Sequence, residues 1–454
     1  MRRPDSEGFW RTFKRPLVWS VATALLLNLL FLGLMLLAVG NPTVIAERVR
    51  AAFVTHELGL VDYLPGDSRR GWHQYNDCNV LQMLSNPHSS RLEQAVAPTI
   101  FKADEEFNHA CPVLRALIVD NVDPNTLYSF RYARYWHGYS VPAGLGLQIM
   151  GLRELRLVLS ATVWVAIGVL AFSASRAGPY IRRAGLSIAA VAATLWAVPF
   201  FAPSLTHGPG DALLLLALSI VAAQPKIASK TASVMPYAAG FGAAVVFLEM
   251  LTGQFPTAAA WLAALTLAAS RDEQRSGSDS AVGVIVAAVF AFGLGGILTV
   301  MMKQLLAFLL VEPAAGEQFM MQLRQYTSIP ASDGDWFGIL LPFTRLVRRM
   351  SMLTFGNVWA AYCLVAISGI LWLYVVVNGL RERRSTSGQD GLLLFLMALI
   401  PVVWVLLMPR HTYIHATFMI RIFIVPLSLL PLVLYWPDGK VMGVERPGPS
   451  LADK

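Results

Sequence analysis

The chain has 454 residues, of which 56% are hydrophobic and only 14% charged, with 36 Lys and Arg against 28 Asp and Glu for a net charge of +8. That balance excludes an ordinary soluble domain, whose charged share is near a quarter. It also excludes a disulfide-framework protein, because only three cysteines are present.

The first apolar run, 17–39, follows Arg2, Arg3, Arg11, Lys14 and Arg15 and lacks a small-residue cleavage site after a short core. It reads as a membrane anchor and not a removed leader. Residues 41–155 are then polar, with scattered acids. Nine further apolar runs follow at 157–174, 186–203, 211–223, 233–251, 256–270, 281–302, 354–378, 391–408 and 419–436. Most approach the roughly 20 residues that cross a ~30 Å hydrocarbon core. Lipid offers the backbone no partners, so each segment must satisfy its own amides, and long Leu/Ala/Val runs without alternation do so as helices.

The expected fold is therefore an all-α integral membrane protein of about ten transmembrane helices, with a large outward-facing loop subdomain between the first two. Its parts are the N-terminus and first helix (1–40), the loop subdomain (41–155), the multi-span bundle (156–437) with outward loops at 303–353 and 409–418, and a disordered tail (438–454). In a ten-span count, Arg176/Arg182/Arg183, Lys226/Lys230, Arg271/Arg275 and Arg381/Arg383/Arg384 share the side of the basic N-terminus. The short loops 204–210 and 252–255 opposite carry no Lys or Arg. Positive residues stay cytoplasmic, which puts both termini inside and loop 41–155 outside.

Cys78 and Cys111 fall in that exported loop and are expected to pair, whereas Cys363 lies in an apolar run. His56, His73, His88 and His109 are too scattered for a metal site. No repeat, phosphate-binding glycine loop or nucleic-acid module is present, so no cofactor, metal or nucleic-acid partner is expected.

Half of the 36 basic residues lie in or next to the outward segments. Long exported loops tolerate charge of either sign, but a forked guanidinium near the membrane surface also suits a lipid phosphate. Three constellations carry chemistry there. Trp72-His73-Gln74-Tyr75-Asn76-Asp77-Cys78 precedes a short helix at 80–84, and its Asp77 suits either a helix cap or a general base. In Arg131-Tyr132-Ala133-Arg134-Tyr135-Trp136-His137-Gly138-Tyr139, aromatic and Arg side chains interleave as the chain re-enters the membrane. An interfacial belt accounts for the Tyr and Trp but not for His137 beside Gly138. The third, Arg410-His411-Thr412-Tyr413-Ile414-His415, puts His411 and His415 on one helical face and is followed by Arg421 inside an apolar run.

Glu249, near the outer end of its run, is a further intramembrane ionisable group, and such groups are functional candidates by default. Asp211, in His207-Gly208-Pro209-Gly210-Asp211, is either another or a cap.

The order of one span, a large outward loop and a basic-aromatic segment, ending in Leu152-Arg153-Glu154-Leu155-Arg156-Leu157-Val158-Leu159-Ser160, resembles the C-type membrane glycosyltransferases. The Arg-Tyr-Trp-His-Gly-Tyr string and the Leu-Thr-Gly turn at 251–253 are similar, more narrowly, to multi-span proteins of bacterial surface polysaccharide synthesis. The resemblance implies a bacterial inner-membrane enzyme that moves a sugar from a polyprenyl-phosphate donor to an exported glycan or lipid. A loop acid would act as base. The chain departs from the family in lacking an Asp-Glu pair just after the first span. On this reading Asp77 is the expected base, with Glu249 second. Arg134 and Arg421 would clamp phosphate, and Arg131, His137, His207, Asp211, His411 and His415 would line the substrate site. A transporter or flippase for a lipid-linked glycan, or a membrane O-acyltransferase using His411 or His415, are the alternatives from other classes.

Overall fold

The structure is a computed structural model that describes residues 6–61, 74–86, 90–102, 110–249, 253–273, 280–329, 337–352, 357–382 and 386–434. His73, His88, His109 and the tail from Asp438 lie outside the described residues. The chain order begins α1 (Ser6–Ala38), α2 (Pro42–Val54), α3 (Gln74–Ser85), α4 (Arg91–Val96), β1 (Thr99–Lys102), α5 (Ala110–Ile118), β2 (Tyr128–Arg131) and α6 (Ser140–Ile149). It continues with α7 (Leu152–Ser175), α8 (Pro179–Leu195), α9 (Val198–Phe201), α10 (His207–Ala223), α11 (Pro225–Ala228), α12 (Thr231–Glu249), α13 (Gln254–Glu273) and α14 (Ala281–Leu310). The last elements are α15 (Ala315–Thr327), α16 (Phe337–Met350), α17 (Val358–Arg381), α18 (Thr386–Leu407), α19 (Pro409–Ile414), α20 (Ala416–Met419) and α21 (Arg421–Leu434).

Among the described residues, each apolar run of the sequence is helical over most of its length. Seven helical stretches among them are long and apolar enough to cross a membrane: Phe13–Ala38, Leu152–Ser175, Thr231–Glu249, Ala281–Leu310, Val358–Arg381, Gly388–Leu407 and Ala416–Leu434. The chain is thus a multi-pass helical membrane protein. The helices α8 and α10 are shorter, at 17 residues each. Helix α13 is enclosed on all sides, with every residue from Pro256 to Ser270 buried. Its long Ala-rich stretch suits that place, because small side chains let neighbouring backbones approach.

Two boundaries differ from the sequence expectation for local reasons. The run 186–203 is not one helix: α8 stops at Leu195, Ala197 takes a left-handed φ of 48°, and α9 restarts with a Pro in its first turn. The run expected to end at residue 302 continues to Leu310. Lys303 and Gln304 are therefore helical, not outward-loop, residues. The loop 41–155 also holds a short antiparallel hairpin, with Thr99 opposite Arg131 and Lys102 opposite Tyr128, where an all-α fold was expected.

The bundle is closed most tightly where α12 crosses α14. A Cβ on Gly242 would stand 2.0 Å from the carbonyl oxygen of Phe292, and one on Gly295 equally close to that of Ala239. Only glycine permits this crossing. Beside this crossing, Asn28 of α1 donates to Thr299 Oγ1 of α14 at 3.0 Å.

Between α1 and α7, the helices α2, α3, α5 and α6 share an apolar core with Leu152, Leu155 and Leu159 of α7. This segment is seated on the bundle through that face. Cys78 and Cys111 form a disulfide with Cα atoms 5.1 Å apart, joining α3 to α5. At the opposite end of the bundle, Arg271 grips Asp390 through a fork in which Nε lies 2.9 Å from Oδ2.

Candidate functional site

The residues singled out in the sequence form two buried clusters and two further ion pairs. The first cluster is made by helix termini. Glu249 ends α12, His207 begins α10, Gln254 begins α13 and Arg421 begins α21. A helix end can carry a polar group that a mid-helix position would bury without partners.

Here Arg421 Nη2 donates to Asp211 Oδ2 at 2.8 Å, and Gln254 Nε2 donates to Asp211 Oδ1 at 2.6 Å. Glu249 Oε1 stands 2.5 Å from His207 Nδ1, and Glu249 Oε2 lies 3.9 Å from Arg421 Nη1. All of these side chains are buried. The guanidinium lies against the Phe201 ring, 4.3 Å from its centroid, and 5.4 Å from that of Trp196. Cation–π contact holds its plane. Among the described residues, Nε and Nη1 of Arg421 make no hydrogen bond. One edge of the fork is thus held by Asp211 while the other is turned toward Glu249.

The second cluster is aromatic. Gly138 donates its N–H to Phe247 O at 2.9 Å, which presses the segment 131–139 onto the last turn of α12, two residues before Glu249. A Cβ on Gly138 would stand 2.5 Å from the Phe247 ring. That close approach explains the glycine beside His137. His137 Nδ1 lies 2.8 Å from Tyr139 Oη and Nε2 lies 3.2 Å from Tyr132 O. Burial pushes His137 down to about 3, helped by the charge of nearby Lys303, so the ring is neutral. Burial pushes the Tyr139 phenol well up, and the neighbouring Tyr132 and Glu249 act in the same direction. The acid of the first cluster is therefore felt in the second.

A row of rings joins the two. His207 packs on Phe418 (5.4 Å), Phe418 stacks on His415 (4.8 Å), His415 lies beside His411 (4.6 Å), and His411 meets Tyr326 edge-on (4.4 Å). The two histidines share a face as their spacing predicts.

An apolar groove of about 390 Å³ runs along this assembly, walled by α12, α13, α14, α15 and α18. Ile297 and Met301 on its outer flank are 59% and 61% exposed, the pattern of a lipid-facing wall. Arg134, Tyr135, Gln322 and Tyr326 border one side of this almost wholly apolar groove. Arg134 donates to Gln322 Oε1, and Gln304 donates to the Arg134 carbonyl. Two groove residues, Val246 and Phe255, lie one helical turn before Glu249 and one residue after Gln254. Inside the same region Lys303 is fully buried, 5.2 Å from the Trp136 ring centroid, and among the described residues its Nζ makes no hydrogen bond.

Asp77 reaches the first cluster through Ser204, whose Oγ also accepts from the His207 N–H at 3.5 Å. Its Oδ2 accepts from Arg156 Nη2 at 3.0 Å, and its Oδ1 accepts from Ser204 Oγ at 2.8 Å and from Leu205 N at 2.9 Å. Arg156 Nη1 is held in turn by Glu57 O at 2.8 Å. This carboxylate ties α3 to α7 and to the turn before α10. Arg131 lies elsewhere, in β2, where it pairs with Glu93 of the α4 capping box at 2.6 Å. Backbone and side-chain hydrogen bonds from Ser90 and Arg131 hold Glu93 below the usual carboxylate range.

The structure thus gathers Glu249, His207, Asp211 and Arg421, and separately Arg134, His137, His411 and His415, while placing Asp77 and Arg131 in structural pairs. Sequence reasoning missed Arg156, Gln254, Tyr326 and Lys303. Arg156 was legible, since it shares the buried stripe of Leu152, Leu155 and Leu159 at helical spacing. Lys303 falls just past the apolar run expected to end at 302, at the start of the expected outward loop 303–353. No group of three or more His, Cys, Asp or Glu able to hold a metal ion occurs among the described residues. No family model matches the chain, and no curated protein or solved structure matches it at a significant level.

Proposed function

We propose that the protein is a membrane glycosyltransferase that takes a sugar from a polyprenyl-phosphate donor and places it on an exported glycan or lipid, with Glu249 as the base. The observation that carries this reading is the groove: a lipid-facing apolar channel bordered by Arg134, with walls that adjoin the Glu249–His207–Arg421 cluster. A polyprenyl chain needs such a channel, its phosphate needs cations, and the acceptor hydroxyl needs a carboxylate.

In the proposed step, Glu249 takes the proton of an acceptor hydroxyl as that oxygen attacks the anomeric carbon. The bond from that carbon to the phosphate oxygen breaks, and the polyprenyl phosphate leaves with the added negative charge. Arg134 and the free edge of Arg421 bind that charge, and neutral His137 and the tyrosines contact the sugar. His207 holds Glu249 in position. Asp211 and Gln254 do the same for Arg421. Asp77, whose oxygens are engaged by Arg156, Ser204 and Leu205, is a positioning residue in this scheme.

The topology belongs to the same proposal: an inner-membrane protein of about ten spans, both termini cytoplasmic, with 41–155 forming an outer subdomain over the site. Reconstitution in vesicles with a radiolabelled polyprenyl-phosphate sugar and a glycan acceptor tests the reading. Release of free polyprenyl phosphate with transfer of label supports it. Movement of the intact donor across the vesicle, without chemical change, would replace it with a flippase.

A further inference from the structure

The helix α16 carries Arg345, Arg348 and Arg349, spaced i, i+3 and i+4, so the three guanidiniums crowd one face. Like charges at that spacing repel, and a helix normally relieves the repulsion with an acid on a neighbouring turn. Here none is supplied: among the described residues, no carboxylate is paired with any of the three. Partial burial, together with the charges of Arg345 and Arg348, pushes Arg349 below its ordinary value.

All three arginines line one cavity of about 670 Å³ between α16, α17 and α19, with Tyr362 and Tyr413 as its aromatic walls. The Arg345 guanidinium stands 4.2 Å from the Tyr413 ring centroid, which fixes its plane. Leu341 and Met352 supply the apolar border. This cavity is distinct from the groove of the proposed active site. Tyr413 is two residues from both His411 and His415, hence on the opposite side of α19 from the face that meets Tyr326.

We infer that this cavity is a second anion site, which binds a phosphate group through Arg345, Arg348 and Arg349. Forked guanidiniums match phosphate oxygens in geometry and charge. The surroundings suit a phosphate delivered on a lipid headgroup, since Leu340 and Trp359 beside it are 55% and 73% exposed and would lie at the membrane surface. Its ligand is then an anionic lipid or a lipid-linked substrate, and a free phosphate shares the same recognition chemistry.

The test uses the delipidated full chain in a neutral detergent, with binding of phosphatidylglycerol in mixed micelles and of inorganic phosphate measured separately, and diacylglycerol as the uncharged control. The wild type is expected to bind at least one phosphate probe and to ignore diacylglycerol. The combined R345Q/R348Q/R349Q variant should bind it at least about tenfold more weakly, because charge-assisted contacts are removed. Binding of phosphatidylglycerol alone assigns the site to a lipid; equal binding of inorganic phosphate assigns it to a soluble anion. If the triple variant fails to fold, R348Q, altered at an exposed position, should still weaken binding roughly threefold. Unchanged affinity in whichever variant is folded, or no binding of either probe to the wild type, would overturn the inference. Because Arg134, Glu249 and Arg421 are untouched, the result is independent of the glycosyl-transfer reading.

Discussion

Glu249 and His207 close on each other from the ends of two different helices, with 2.5 Å between Oε1 and Nδ1, and neither is exposed to solvent. Around them Arg421 is shared between Asp211 at 2.8 Å and Glu249 at 3.9 Å. Two acids thus face one arginine and one histidine. The cluster is compact enough to be neutral overall with one proton in place, yet it keeps donor capacity on the guanidinium. That combination suits a site which must accept a proton and hold an anion in turn.

The Asp77–Arg156 pair should behave as a structural strut. Both side chains are nearly inaccessible, at 1% and 4%, and removing one member of such a pair leaves a buried charge that costs about 3–5 kcal/mol. Arg156→Met is expected to lower the unfolding midpoint sharply in detergent, and Asp77→Asn to do so less. An Asp77→Asn protein that keeps its stability but loses all turnover would return the base to Asp77.

Arg134 at the edge of the groove gives a kinetic prediction. Arg134→Gln should raise the donor KM by about tenfold or more, because a charge-assisted contact to the phosphate is lost. Arg131→Gln, which only releases Glu93 of α4, should leave donor KM unchanged. Initial rates over a donor concentration series separate the two variants.

Much of this was legible in the chain. Arg421 and Glu249 were each conspicuous as single charges inside apolar runs, and His411 and His415 as an i, i+4 pair. Their assembly was not, because it depends on which helix ends meet. Glu249, His207, Gln254 and Arg421 all sit at helix termini, and no periodicity within a helix reports how its end packs on another. The partners of Asp77 were hidden for a related reason: Arg156, Ser204 and Leu205 are at least 79 residues away in sequence. The break at Ala197 was hidden because it lies within an apolar stretch, and the continuation of α14 because the polar pair Lys303-Gln304 interrupts the run that resumes at 305–310. Glycine 138 was visible as an oddity, and its meaning came only with the Phe247 carbonyl it approaches.

His137 sets a pH dependence of stability. Its folded value of about 3 lies below the ordinary 6.5, so the unfolded imidazole takes up a proton that the folded one refuses. Stability from this residue is complete above about pH 6.5 and falls as pH drops toward 3, by up to about 1.4 kcal/mol per unit. Thermal unfolding at pH 7 and pH 4.5 should show a larger loss for the wild type than for His137→Asn. Equal losses would mean that the histidine is not held neutral.

Gly138 offers a test of the link between the two clusters. Gly138→Ala places a methyl group against the Phe247 ring and carbonyl and should displace the segment 131–139 from the end of α12. Turnover is expected to fall by about tenfold or more, since small misplacements at a reacting centre are costly. An undiminished rate would mean that the aromatic segment does not serve the Glu249 site.

The central claim is that Glu249 takes the acceptor's proton during glycosyl transfer. The most direct measurement is single-turnover release of polyprenyl phosphate by Glu249→Gln in vesicles, with donor binding measured on the same sample. The account predicts donor binding within a fewfold of wild type and a rate reduced by about 10²–10⁴, the usual contribution of a general base. Release at the wild-type rate from a folded, donor-bound Glu249→Gln protein would contradict it.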